Sequence, residues 1–317
     1  DVERSRGLGD VYKRQGTSYS QAALGNNHTC GITTGNVLKC WGYNSYSQLG
    51  DGTVTNRQTP TVIDSGTSYT YIAAGIFHTC GLVTGGALRC WGYNNSSQIG
   101  DGSVFMRSSP YLIDPGVNYS QVAGSNHTCG ITSGGALKCW GLNSYGQVGS
   151  GPTVIESIDQ DSFTELSQGA GYTCGITTSG VLKCWGSDIY GKLGDGLTTN
   201  RANPGVTDGG VTYSKITAGN SHTCGITTSG VLKCWGYNNY GQLGDGTTTS
   251  RYNPITIDAG TSYSQVALGN YHTCAITTGG ILKCWGYNGY GRLGDGTTVD
   301  KGSPVVIDSG VTYSKLG

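Results

Sequence analysis

The 317-residue chain reads as an all-β protein, a β-propeller of four-stranded blades with six repeats of about fifty residues. Three observations predict this fold. A pair of cysteines ten residues apart recurs six times, a tryptophan follows every second cysteine, and short β-favouring runs alternate with glycine-rich turns. The first cysteines are Cys30, Cys80, Cys129, Cys174, Cys224 and Cys274, at intervals of 50, 49, 45, 50 and 50. The second are Cys40, Cys90, Cys139, Cys184, Cys234 and Cys284. Trp41, Trp91, Trp140, Trp185, Trp235 and Trp285 account for all six tryptophans.

The sixth copy shows the elements in order. A first strand over 263–268 ends at Gly269, and a second spans 272–277. A turn at Thr278-Gly279-Gly280 leads to a third strand, 281–286. The loop 287–291 precedes Arg292-Leu293-Gly294-Asp295-Gly296, and Pro304-Val305-Val306-Ile307 forms a fourth strand. Glycine, proline and asparagine bound each run, and no helical period is sustained. One such sheet cannot bury both of its faces. Repeated radially, the sheets cover one another and leave only short, protected edges.

The bulk composition narrows the function. Nineteen basic residues balance nineteen acidic ones, so the chain lacks the basic excess of a nucleic-acid binder, and no nucleic-acid partner is expected. No apolar run reaches the roughly 18 residues that span a bilayer. Twelve cysteines at regular spacing point to disulfides and an oxidising compartment, so an extracellular or cell-surface location is expected. The chain begins Asp1-Val2-Glu3-Arg4, which is not a signal peptide. Residues 1–15 lack the repeat pattern and read as a non-native or disordered leader, leaving 16–317 as the propeller of a fragment.

The recurring string G-x-x-H-T-C-x-I-T-x-x-G-x-L-K-C-W-G-x-N-x-x-x-Q-L-G-D-G resembles the regulator-of-chromosome-condensation (alpha-tubulin suppressor-like) repeat over residues 16–317. WD repeats are shorter and lack the H-T and W-G pairs, and kelch repeats carry a glycine pair followed by spaced aromatics. The resemblance implies a seven-bladed ring, whereas six copies are present. Tyr19 aligns with Tyr313 six periods later, so both ends carry the same strand and an incomplete ring is expected. One cysteine pair per blade departs from many intracellular members and is similar to a secreted bacterial type.

Gly279 is the midpoint between Cys274 and Cys284, so a three-residue turn sets these cysteines opposite each other. Paired residues of antiparallel strands lie about 4.5–5.5 Å apart, within the disulfide window of roughly 4.4–6.8 Å. Ile276 and Leu282 then pair on the same face, and the geometry repeats in all six copies. Each short loop closed this way contributes roughly 2.5–3 kcal/mol in the chain-entropy model. A His-Cys-Cys metal site is the competing reading. The fourth copy has Tyr172 where the others have histidine yet keeps Cys174 and Cys184, so no metal or other cofactor is expected.

His28, His78, His127, His222 and His272 occupy one repeat position, which favours a structural hydrogen bond over catalysis. Asp51, Asp101, Asp195, Asp245 and Asp295 lie between glycines, with Ser150 in the third copy. One carboxylate per loop is too few for calcium, so turn formation is expected. Arg57, Arg107, Arg201 and Arg251 follow six residues later, where exposed ion pairs would contribute little. Neither a nucleophile elbow nor a phosphate loop is present, and an enzyme is not expected.

The leading expectation is a non-enzymatic propeller that recognises a protein or surface glycan outside the cytoplasm. Two alternatives remain: a guanine-nucleotide exchange factor for a small GTPase, implied by the resemblance, and a structural segment of a cell-surface adhesin. The two residues before each H-T pair drift most between copies: Asn26-Asn27, Ile76-Phe77, Ser125-Asn126, Ala170-Gly171, Asn220-Ser221 and Asn270-Tyr271. Loops on a rigid scaffold commonly carry recognition, so these positions, apart from Ala170-Gly171, are predicted to bind, with Ile76, Phe77 and Tyr271 supplying apolar and aromatic area. The loops of Tyr43, Tyr93, Tyr237 and Tyr287 are the alternative face.

Overall fold

A computed structural model describes residues 16–149 and 158–316. The leader expectation for 1–15 and the Ser150 assignment fall outside the described residues. Apart from one short 3-10 turn at Ile189–Gly191, the regular structure is antiparallel β-strand, in two compact units. Described residues 16–142 form one unit; 143–149 and 158–316 form the other.

In the first unit, Tyr19–Leu24, His28–Thr33, Leu38–Gly42 and Arg57–Val62 pair in chain order. The next sheet has Tyr69–Ala74, His78–Val83 and Ala87–Gly92, then the long strand Arg107–Gly124, then His127–Thr132 and Leu137–Gly141. The second unit holds three four-stranded sheets, which begin at Phe163, Tyr213 and Tyr263.

Six blades are expected from the sequence, but the described residues form five sheets. The second and third repeats run together because Arg107–Gly124 pairs with Ala87–Gly92 through its first half and with His127–Thr132 through its second. Asp114 (φ 49°) and Gly116 (φ 91°) keep the turn dihedrals of Asp64 and Gly66 in the preceding repeat. An additional pairing of Ala87 with Asn118 carries the ladder across that turn. At the same place the later repeats have only the isolated bridges Val181–Thr212 and Val231–Ser262. Five repeats therefore show a complete set of four strands, and the third shows three among the described residues.

All six disulfides form within their own hairpins, Cys30–Cys40 through Cys274–Cys284. Their Cα atoms stand 4.1 Å apart, closer than ordinary paired strands. Ile276 faces Leu282 in the register read from the sequence.

Within each unit the core lies between consecutive repeats. Cys30, Ile32, Leu38, Cys40, Leu49 and Ile63 of the first repeat are covered by Tyr69, Ile72 and Trp91 of the second. The fourth repeat is covered in the same way by Tyr213, Ile216 and Trp235, and the fifth by Tyr263 and Trp285. In these repeats the apolar face is closed by residues of the next repeat, as repeat architecture requires.

Polar groups fix the spacing. The Trp91 indole and the Thr79 hydroxyl both donate to the main-chain oxygen of Gln48, at 3.1 and 2.7 Å. Trp140 and Thr128 converge on Gln98, and Trp235 and Thr223 on Lys192. The glycine two residues past Gln48 follows from this contact. A Cβ on Gly50 would sit 2.5 Å from the Trp91 Nε1, and its φ of 78° already favours glycine.

Candidate functional site

The drifting residues lie in the bends between first and second strands. Asn26, Asn27, Asn220, Asn270 and Tyr271 are exposed; Ile76, Phe77, Asn126 and Ser221 are half-buried; Ser125 is buried. Asn220 donates its amide to Asn270 at 2.6 Å. Ala170 is half-buried and Gly171 buried, and Ala170 gives its carbonyl to the Lys192 ammonium at 2.7 Å.

In each unit these bends meet the loops that follow the tryptophans. In the first unit Phe77 packs on Tyr46 (5.0 Å between ring centres) and on Tyr93 (6.2 Å). Tyr46 also contacts Tyr93 at 5.1 Å and Tyr43 at 6.0 Å. A cavity of about 150 Å³ opens beside them, lined among others by Tyr46, Phe77, Tyr93, Ser125, Asn126 and Leu142.

In the second unit Tyr271 packs on Tyr240 (5.1 Å) and Tyr237 (6.2 Å). Tyr190 extends the row from Tyr237 at 4.7 Å. Tyr287 extends it from Tyr240 at 5.0 Å and passes it to Tyr290 at 6.5 Å. The Arg292 guanidinium lies 4.5 Å above the Tyr287 ring and 5.5 Å from that of Tyr290. Tyr290 is 82% exposed, and Tyr190, Tyr240 and Tyr271 are also exposed. Burial and then the neighbouring phenols Tyr240, Tyr190 and Tyr271 hold the Tyr237 hydroxyl above its ordinary range, so it stays protonated.

The two surfaces that the sequence sets as alternatives therefore meet within each unit. Phe77 touches Tyr93, and Tyr271 touches Tyr237. Tyr46, Tyr190, Tyr240 and Tyr290 are the residues that sequence reasoning missed. They stand five positions after the repeat tryptophan, where five of six copies carry tyrosine.

The histidines face inward. His28 Nε2 lies 2.9 Å from Thr79 Oγ1, His78 2.8 Å from Thr128, and His222 2.9 Å from Thr273. Thr79 gives its own proton to Gln48, so the imidazole Nε2–H is the donor to the threonine oxygen. Burial pushes His28 down to about 4 and His78 and His222 to about 3, so they are neutral at physiological pH. In the fourth repeat the Tyr172 hydroxyl reaches Thr223 instead, at 2.8 Å.

The aspartates between glycines form turns, but they are not on the exposed rim. Asp51 and Asp101 side chains are 4% and 0% exposed, although their arginine partners are about a third exposed. Asp51 Oδ1 accepts from the Thr53 N–H, the Thr53 hydroxyl and the Asn44 amide, and Arg57 pairs with Oδ2 at 2.6 Å. Burial works to raise the Asp51 carboxyl, but the Thr53 and Arg57 hydrogen bonds outweigh it and hold it below the ordinary range. The asparagine in W-G-x-N is a second residue type missed from sequence. Asn44, Asn94, Asn238 and Asn288 are wholly buried at the centre of these loops.

All twelve cysteines are in disulfides. Among the described residues, no three histidine, cysteine or acidic side chains gather as a metal-ligand group. No described helix is long and apolar enough to cross a membrane.

Comparison with solved structures identifies the architecture as that of a β-propeller. Human WBSCR16 aligns with a TM-score of 0.80 at 21% identity, covering 92% of this chain and 82% of that one. Prp20p from Saccharomyces cerevisiae, described by its binding to Gsp1p and histones, aligns at 0.77 and 20% identity, covering 92% and 77%. The ectodomain of the Arabidopsis thaliana receptor kinase ACR4 aligns at 0.53 and 22% identity, covering 85% and 82%. At these identities the likeness shows the fold alone. No curated protein sequence matches the chain. The regulator of chromosome condensation (RCC1) repeat matches residues 19–48, 69–98, 122–147, 213–242 and 263–292, and a second form of it matches 38–82 and 229–276. Together these segments cover more than half of the sequence, and the chain belongs to the RCC1 repeat family.

Proposed function

We propose that the chain is a non-enzymatic binding propeller that grips a protein outside the cytoplasm through its tyrosine-rich loops. The observation that carries this reading is the row Tyr190, Tyr237, Tyr240, Tyr271, Tyr287 and Tyr290, in which Tyr190, Tyr240, Tyr271 and Tyr290 are exposed and Tyr237 and Tyr287 half-buried, set among asparagine, serine and glycine. This is the composition of protein-recognising loops: rigid aromatic area, few charges, and adaptable hydrogen-bonding neighbours. The ring geometry favours a protein over a glycan. Neighbouring rings are tilted by 49° to 90°, so they offer edges and clefts rather than the flat platform on which sugar rings stack. Six disulfides and the likeness to a receptor-kinase ectodomain support the extracellular placement. The same disulfides speak against the exchange-factor alternative, since small GTPases are intracellular. Zero net charge supports a protein rather than a nucleic-acid partner. Panning a displayed peptide library and a glycan array against the oxidised chain tests the reading. Enrichment of peptides competed by one another is expected. Selective capture of glycans, with no peptide enriched, overturns it.

A further inference from the structure

The fourth repeat differs from its sisters at one buried atom. In the fifth repeat Asn238 is wholly buried, and its Oδ1 accepts the Leu243 N–H at 2.9 Å. Its Nδ2 faces Asp245 Oδ1 at 3.0 Å and the main-chain oxygens of Thr247 and Thr249 at 3.1 Å. Asn44, Asn94 and Asn288 repeat this arrangement. The amide nitrogen is the electropositive plug of an oxygen-lined cradle.

In the fourth repeat the plug is Asp188. Its Oδ1 still accepts the Leu193 N–H, at 2.8 Å, and its own N–H still donates to Asn200. The residue is 0% exposed, and its Oδ2, the atom that replaces the amide nitrogen, has no hydrogen-bond partner. Asp195 holds the sequence position of Asp245, and Leu197 and Thr199 hold those of Thr247 and Thr249. Asp195 acts on Asp188 as a like charge; Arg201 and Lys192 act on it as opposite charges, but neither reaches Oδ2 within hydrogen-bond distance. An acceptor has thus replaced a donor at the position that in the sister repeats is surrounded by loop oxygens. A buried carboxylate oxygen in such surroundings requires a positive occupant. The sixth repeat also has a second acid, Asp300, but its Oδ1 is occupied by the Asn288 N–H; the fourth repeat differs in placing a carboxylate at the asparagine position itself.

We propose that the fourth repeat is a calcium-class divalent cation site, held by the carboxylates of Asp188 and Asp195 and by the main-chain oxygens of Leu197 and Thr199. The donor set is all oxygen and mixes carboxylate with carbonyl, as calcium favours, and it offers zinc neither nitrogen nor sulfur. Residues 196–200 are exposed, so an ion enters from solvent and keeps water on that side. Arg201 pairs with the outer oxygen of Asp195 and leaves Oδ1 for the cradle.

The test is titration of the chelator-treated oxidised chain with calcium chloride, followed by calorimetry and thermal melting. One calcium per chain is expected, with Tm rising by about 5 °C at saturation. Asp188→Asn copies the sister loops and therefore folds; it is expected to take up no calcium and to melt at a calcium-independent temperature. Absence of calcium binding by the native chain overturns the proposal and leaves a proton as the occupant. Equal stabilisation of chain and variant overturns it as well.

Discussion

The Trp91 indole donates its N–H to the main-chain oxygen of Gln48, 3.1 Å away across the junction of the first and second repeats. Thr79 donates to the same oxygen, and His28 donates to Thr79. Most of the repeat's fixed letters are accounted for by this one junction. Trp91→Phe keeps much of the buried ring and loses one hydrogen bond, so a loss of about 1–2 kcal/mol is expected. Trp91→Ala also opens a cavity, for about 3–5 kcal/mol. Urea denaturation of the oxidised variants, followed by far-UV circular dichroism, measures both.

Two glycines with similar backbone conformations should differ in tolerance. Gly244 (φ 85°) would place a Cβ 2.6 Å from the Trp285 Nε1, whereas around Gly260 (φ 91°) nothing lies within 4 Å. Gly260→Ala adds only the left-handed backbone cost, about 1–2 kcal/mol. Gly244→Ala adds the displacement of a buried tryptophan to that cost and is expected to lower the urea midpoint at least twice as far.

Acid should destabilise the chain through its buried histidines. Their folded pKa values are pushed below the ordinary 6.5, to about 4 at His28 and about 3 at His78 and His222. Between 6.5 and these values the unfolded chain binds more protons, so the neutral-histidine contribution is complete above pH 6.5 and is lost as pH falls towards 3. His222→Tyr, which copies the solution at Tyr172, is expected to flatten this decline. A pH series of denaturation midpoints that stays level down to pH 4 in the native chain would contradict this account.

The cysteine assignment predicts that alkylation of the unreduced, denatured protein adds no mass. Replacing Cys224 and Cys234 together by alanine is expected to cost about 2–5 kcal/mol, from lost cross-linking and lost core volume. Peptide mapping that joins cysteines of different repeats would contradict the pairing.

The hairpin register was legible in the sequence because it is local. Ten residues centred on a glycine turn determine which cysteine faces which, and Ile276 meets Leu282 by the same symmetry. The fusion of the second and third sheets was not legible, since it depends on one pairing, Ala87 with Asn118, that elsewhere stays an isolated bridge. Drift between copies led to Phe77 and Tyr271. The same criterion misses Tyr46, Tyr240 and Tyr290, because tyrosine recurs at their position in five of six copies, although these rings lie partly or largely at the surface. Nothing in the sequence marks Asn44 and its counterparts as buried, since asparagine in a loop is ordinarily solvated. They are buried because each saturates its amide with loop oxygens.

The most direct test of protein recognition by the tyrosine row is the affinity of Tyr240→Ala, Tyr271→Ala and the double variant for peptides selected on the native chain. Tyr240 and Tyr271 are exposed and lie 5.1 Å apart at the centre of the row, so the folded variants should melt close to the native temperature. A loss of about 10-fold to 100-fold for each single variant, and a larger loss for the pair, is predicted from the usual contribution of central aromatic anchors. Unchanged affinity in a folded double variant would contradict the account.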